Sequence, residues 1–286
     1  MNLYPVHISN FKVDGGVMFG VVPKAIWNKK YPADENNLVT LALRSLLIEH
    51  NDRLVLIDTG WGHKQGKEFF RHVYRHGGDG LKGGIEKAGF SLDDVTDVLL
   101  THLHADHCGG TIRLGEDQQR YLPVFPNATV WVSREQWNWG INPNIREKDA
   151  LLEENILPIQ QTGRLRLVTE SREIIPGLQV HLVNGHTPGQ LIPVIDTGDG
   201  RIIFAADLIP TKAHVPLLFN MAYDLFQLDT IREKVAFLND AYQNGDVLFF
   251  EHDVYHECCS LKKTEKGIRP DQTFTLEAYR SGEAPL

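Results

Sequence analysis

The chain has 286 residues, 42% of them hydrophobic and 23% charged, a composition that suits a globular protein with a sizeable core. Its formal net charge of −8 argues against the basic face that a nucleic acid or an anionic membrane demands. No apolar run approaches the roughly 18 residues of a membrane span. The three cysteines, Cys108, Cys258 and Cys259, cannot all pair, and two are adjacent, a pattern that fits a reducing compartment. The N-terminus "MNLYPVHISNFKVDGG" lacks the basic and apolar regions of a signal peptide, so the expected location is the cytoplasm.

In chain order, Leu41–His50 and Arg53–Gly60 read as two strands joined by a turn at Asn51-Asp52. Lys67–His76 carries Phe69, Phe70, Val73 and Tyr74 at helical spacing, with Gly77-Gly78 to stop it. Leu81–Ala88 reads as a helix ended by Gly89, and Val95–His102 as a buried strand. Asn127–Ser133 is a further strand, and Ser133-Arg134-Glu135-Gln136 has the form of a capping box. A helix is expected over Ile145–Asn155, then strands at Arg164–Val168, Leu178–Val183, Gln190–Asp196 and Arg201–Asp207. Thr230–Asn239 reads as a helix and Asp246–Asp253 as a closing strand; the polar tail after Lys262 is left unassigned. Strands interleaved with helices predict an α/β layered fold, one domain over residues 1–286.

The strand at Val95–His102 runs straight into "THLHADHCGG", which holds His102, His104, Asp106 and His107 within six positions. Alternation along an extended chain puts His102 and His104 on one side, where both imidazoles can reach one cation. Asp106 and His107 follow where the chain must turn, with Cys108-Gly109-Gly110 to ease the turn. Surface positions would more often carry Lys, Glu or Ser. Further ligands are therefore sought, and three candidates sit at strand ends: His186 in "NGHTPGQ", Asp207 in "FAADLIP" and His252 in "FFEHD". Two sites can be written: His102, His104 and His186 around one ion; Asp106, His107 and His252 around the other; and Asp207 bridging them. Imidazole with carboxylate suits zinc first, with iron, manganese or cobalt as alternatives.

These motifs together resemble the metallo-β-lactamase-fold hydrolase superfamily, whose signature is HxHxDH followed by His, Asp and His. The hairpin "LLIEHNDRLVLIDTGWG" matches that family's early turn. "DGGVMFGVVPKAIW" and "MAYDLFQLDTIREK" look like its quorum-quenching lactonase and methyl-parathion-hydrolase-like branch. The resemblance implies a four-layer αβ/βα sandwich with two divalent metal ions per chain at one edge, most often Zn2+. It also implies a hydroxide bridging the two metals that attacks a small ester, lactone or phosphotriester, with Asp106 and Asp207 as the catalytic carboxylates. The alternatives are a thioester hydrolase of glyoxalase II type and a mononuclear iron oxidoreductase of the same fold.

Acyl-homoserine-lactone lactonases of the family carry a Tyr three residues after the bridging Asp; here that position is Pro210. Tyr223 or His214 is left to face the site from another loop. Phe19, Trp27, His214 and Tyr223 are the expected substrate contacts, with core packing as the competing role for each. Asp58 is expected to fix a ligand imidazole or to cap its turn. Cys108 is expected to be a packing residue. The expected partner is a small-molecule substrate, with a homodimer as the commonest assembly of such enzymes.

Overall fold

The computed structural model describes residues 1–285. Fifteen strands are formed among them. The first eight are Asn2–Asp14 (β1), Leu38–His50 (β2), Arg53–Ile57 (β3), Asp97–Leu99 (β4), Ile112–Leu114 (β5), Tyr121–Pro123 (β6), Thr129–Ser133 (β7) and Leu165–Val168 (β8). Then come Arg172–Ile175 (β9), Leu178–Val183 (β10), Gln190–Asp196 (β11), Arg201–Phe204 (β12), Val247–Phe249 (β13), Cys258–Thr264 (β14) and Gly267–Phe274 (β15). They build a six-stranded sheet in the order β1-β2-β3-β4-β7-β8 and a seven-stranded sheet in the order β15-β14-β13-β12-β11-β10-β9, with β5 and β6 as a separate ribbon.

Side-chain alternation explains the layering. In β2 and β3, Leu46, Ile48, Val55 and Ile57 pack in one core with Val180, Ile192 and Phe204 of the second sheet. Their neighbours Leu47, Leu54 and Leu56 point the other way, into a core with Ile85, Trp137 and Ile156 from helices. Both faces of the first sheet are therefore buried, and its central strands are near-continuous apolar runs. The long helix Gln227–Asn244 covers the second sheet through Leu238 and Ala241 and ends at Gly245 in the left-handed region (φ 70°). The result is the expected sandwich of mixed sheets and helices. No helix among the described residues is long and apolar enough to cross a membrane.

Several elements differ from their sequence reading. β1 was not expected, because Pro5 and a register shift between His7 and Ser9 break its alternation. The helix expected over Lys67–His76 stops at Phe70. Beyond it the backbone bonds back to β1, with Lys12 N donating to Val73 O at 2.9 Å and Asn10 N to His76 O at 2.7 Å. The helix expected over Ile145–Asn155 forms instead over Glu153–Gln161. Asn144 Oδ1 accepts from the N–H groups of Arg146 (2.8 Å) and Glu147 (3.2 Å), which fixes turns there. Ser133 does cap its helix by accepting from Gln136 N at 2.9 Å, whereas the Gln136 side chain turns inward to Thr187. The strand expected up to Asp253 ends at Phe249, which frees the next residues to turn into the site.

All three cysteines are buried and unpaired. Burial pushes the Cys108 thiol up to about 12 and raises Cys258 and Cys259 as well. A thiolate is the reacting form, so below pH 9 the native protein should be inert to a disulfide reagent such as DTNB. Denaturant should release three reactive thiols per chain. A rapidly titrating thiol in the native state would contradict the packing role of Cys108.

Candidate metal centre

The site lies at one edge of the sandwich, where loops leaving both sheets meet. β3 is followed by Asp58, a non-glycine residue in the left-handed region (φ 56°). That turn aims its carboxylate at the parallel neighbour. Asp58 Oδ1 accepts from Thr101 N at 2.8 Å and Oδ2 from Thr101 Oγ1 at 2.6 Å. The exit from β4 is thereby fixed one residue before His102. His104 then opens the short helix Ala105–Cys108, which presents Asp106 and His107. Gly109 and Gly110 serve close approach rather than flexibility: a Cβ on them would sit 2.2 Å from Trp61 O and 2.1 Å from Thr59 O. From the second sheet, His186 follows β10, Asp207 follows β12 and His252 follows β13. Ala206, just before Asp207, is also left-handed (φ 42°), so strained backbone supports the site on both sides.

These loops bring the seven side chains together. His102 Nε2 and His186 Nε2 lie 3.0 and 3.2 Å from His104 Nδ1. His107 Nε2 lies 3.4 Å from His252 Nε2 and 3.6 Å from Asp106 Oδ2. Asp207 stands between the groups, with Oδ2 3.2 Å from His186 Nε2 and Oδ1 3.1 Å from His252 Nε2. Donor atoms on a tetrahedral ion with bonds of about 2.1 Å would be roughly 3.4 Å apart. Both groups fit, and Asp207 Oδ1 is a buried oxygen that accepts no hydrogen bond within the protein. These are two candidate metal-binding clusters sharing one carboxylate.

The far side of each imidazole is also accounted for, which fixes which nitrogen faces the cluster. His102 Nδ1 meets Thr101 Oγ1 at 3.0 Å, and His104 Nε2 meets Glu147 Oε1 at 3.0 Å. His186 Nδ1 meets Asp224 Oδ1 at 3.0 Å, and His252 Nδ1 meets Ala42 O at 2.9 Å. His107 Nδ1 lies between two carboxylates, Asp58 at 3.0 Å and Glu251 at 3.2 Å. Sequence reasoning anticipated Asp58 but missed Glu147, Asp224, Glu251 and Thr101. Their spacing carries no motif; only Glu251, beside His252 at the end of an apolar strand, offered a signal.

Electrostatics follow from this packing. Burial pushes the His102 and His104 rings below the ordinary range. Burial acts the same way on His107, His186 and His252, but there carboxylates outweigh it. Glu251, Asp106 and Asp207 lift His107 well up; Asp207 and Asp224 lift His186; Asp207 and Glu251 lift His252 to about 9. Asp207 is buried too, yet His252, His107 and His186 hold it well below the usual carboxylate range. Cations and protons thus compete for the same nitrogens, so metal uptake weakens in acid.

Burial pushes the Glu147 carboxyl up, but His104, Trp139 and Thr187 prevail and bring it to about 2. It accepts from Trp139 Nε1 and Asn144 Nδ2, each at 2.6 Å, and from Thr187 Oγ1 at 3.0 Å. Glu147→Gln removes the charge that orients His104. Metal affinity, measured against a competing chelator, should fall roughly 10- to 100-fold. Unchanged affinity would mean that His104 needs no such support.

A cleft of about 320 Å³ opens over the clusters. Its walls include Phe11, Val13, Met18, Leu41, Met221 and Tyr223. Of the expected substrate contacts, only Tyr223 lines it. Phe19 and Trp27 are buried and stack at 4.9 Å, and His214 stacks on the other face of Phe19 at 4.6 Å. His214 is tied to Met18 O and Thr211 Oγ1, both at 2.8 Å. These three form the core behind the cleft wall, because packing an aromatic sandwich buries more apolar surface than lining a wet cleft. Arg146 closes the rim by donating to Ala222 O.

Residues 44–252 match the metallo-beta-lactamase superfamily, and the chain belongs to it. With two candidate clusters set into that fold, it is a metal-dependent hydrolase. Among curated relatives, an N-acyl homoserine lactonase of Bacillus cereus is 23% identical over 237 residues, spanning 77% of this chain and 85% of that protein. A solved structure, a probable metal-dependent hydrolase from Staphylococcus aureus, is 28% identical with a TM-score of 0.88, covering 96% of this chain and 97% of that one. The dizinc quorum-quenching lactonase AidC superposes with a TM-score of 0.78 at 21% identity, covering 96% and 95%, a likeness of fold.

Proposed function

We propose that this hydrolase acts on a small lactone or carboxylic ester with an apolar acyl group, using two divalent cations, zinc before iron, manganese or cobalt. One observation carries the reading: five imidazoles and two carboxylates aim at two adjacent points, and a largely apolar cleft opens onto both. His102, His104 and His186 would hold one cation, and Asp106, His107 and His252 the other, with Asp207 between them. Paired cations in such a site supply a water of pKa near about 7 and polarise the carbonyl oxygen.

The chain's own groups do the rest. Asp106, less buried than its neighbours, accepts a hydrogen bond from the attacking water and orients it. Phe11, Val13, Met18 and Leu41 hold the acyl group and keep bulk water away. Tyr223 takes the place that Pro210 leaves open. Tyr223 is 46% exposed at the cleft, where partial desolvation, with Asp106 adding to it, raises its phenol, so it stays neutral at physiological pH and donates a hydrogen bond to the carbonyl or leaving oxygen. The lactonase names among the relatives support this choice of substrate. Residues 1–286 act as one catalytic unit in the cytoplasm.

The test is an activity panel on metal-loaded protein with lactones, aryl esters, phosphotriesters, thioesters and β-lactams, alongside metal counting. Two zinc-like ions per chain are expected, with lactones or esters turned over fastest. Tyr223→Phe should lower kcat roughly 10²-fold with little change in KM. A panel led by thioesters, or a single iron per chain, would overturn the assignment.

A further inference from the structure

A second groove, of about 650 Å³, lies behind the metal-ligand loops and is lined by none of the seven clustered side chains. Its floor is apolar, made by Ile8, Leu43, Leu81, Ile112 and Val124. Its rim is cationic, although the chain as a whole is acidic. Lys64, Arg75, Lys82 and Arg113 line it, with His63 and His76, against the single carboxylate of Asp79. Lys64 is committed to the carbonyls of Gly109 and Ile112, and Arg75 bonds Gly62 O at 2.7 Å while lying over the Phe70 ring. Lys82 has only an exposed pair with Glu86 at 3.6 Å, and Arg113 makes no ion pair among the described residues. The helix Gly80–Lys87 starts at the groove, and Asp79 makes no side-chain capping bond to it, so its first N–H groups add partial positive charge.

An apolar floor under a rim with an excess of cations fits a ligand with an apolar tail and an anionic head. We propose that this groove is a second binding site, for an amphiphilic anion whose apolar chain lies on the floor and whose carboxylate or phosphate head meets Arg113 and Lys82. The site does not depend on which substrate the metal cleft takes. Its back wall includes Thr59 and Gly110, whose N–H groups donate to His107 O (2.7 Å) and Gly60 O (2.8 Å). Trp61 lines both this groove and the metal cleft. A ligand there therefore touches the seam that carries Asp58 and His107.

The experiment is calorimetric titration of metal-loaded protein with decanoate, decyl phosphate, acetate and inorganic phosphate. The two decyl compounds separate a carboxylate head from a phosphate head, and the short anions remove the tail. One of the decyl anions should bind at least about ten-fold more tightly than its short counterpart. Arg113→Glu combined with Lys82→Glu should weaken that binding at least about ten-fold, with metal content and melting temperature unchanged. Three results would overturn the proposal. They are no binding of either decyl anion, equal binding of the short anions, and undiminished affinity in the double variant, which would place the ligand in the metal cleft instead.

Discussion

Asp207→Ala should leave a folded protein that loses bound metal and at least roughly 10³-fold of its turnover. The carboxylate stands between the two clusters, 3.2 Å from His186 Nε2 and 3.1 Å from His252 Nε2. Without it, His102, His107, His186 and His252 lose the counter-charge they share, and two cations at neighbouring points would repel one another unscreened. The backbone does not depend on the side chain. Ile209 N still donates to Ala205 O at 3.3 Å, and His252 N to Pro210 O at 3.2 Å. Metal content and turnover measured on the same preparation decide the matter. An Asp207→Ala protein with two ions and full activity would dismantle the proposed site.

Lys234→Met should be strongly destabilising although the residue lies outside the site. Lys234 is fully buried on the long helix, and its Nζ has four oxygens within hydrogen-bond reach for its N–H donors: His214 O (2.6 Å), Asn220 Oδ1 (3.0 Å), Phe219 O (3.1 Å) and Pro216 O (3.3 Å). Burial pulls the Lys234 amino group down to about 7, and the group gathers the carbonyls of a segment that has little regular structure of its own. Methionine keeps the stem and removes every donor, so buried acceptors are left unpaired at a cost of roughly 3–5 kcal/mol. For a chain of 286 residues the melting temperature should fall by about 5–8 °C. The same segment runs on to Tyr223 and Asp224, the latter holding His186, so metal retention should weaken as well. An unchanged melting temperature would show that the buried amino group contributes nothing net.

The parts of the molecule legible in the sequence were those written in local pattern. β10 and β11 have the expected bounds, because apolar residues there are framed by turns at Gly177 and at Thr187-Pro188-Gly189. The hairpin of β2 and β3 turns at Asn51, whose left-handed backbone (φ 54°) suits Asn. His102, His104, Asp106 and His107 could be grouped because four ligand types in six residues have no common surface role. His186, Asp207 and His252 could be joined to them because each ends a strand. What could not be read depends on which way a side chain turns. Glu147 looks like one more charge on a helix, yet it is buried against His104. Phe19 and Trp27, taken singly, suit the core better than the cleft, but no local pattern says which aromatic of that loop turns inward. Lys67–His76 has helical spacing, but β1 offers its backbone a better set of partners.

The seven clustered side chains are divided between the two sheets: four on the loop after β4, three on loops after β10, β12 and β13. Cations held among them act as rivets across the sandwich, fastening one half of the chain to the other at its open edge. Chelation would then cost resilience along with chemistry, by about 4 kcal/mol where free metal stands at a thousand times its Kd. Starved of metal, such an enzyme would become easier prey for proteases, so its abundance in the cell would track metal supply.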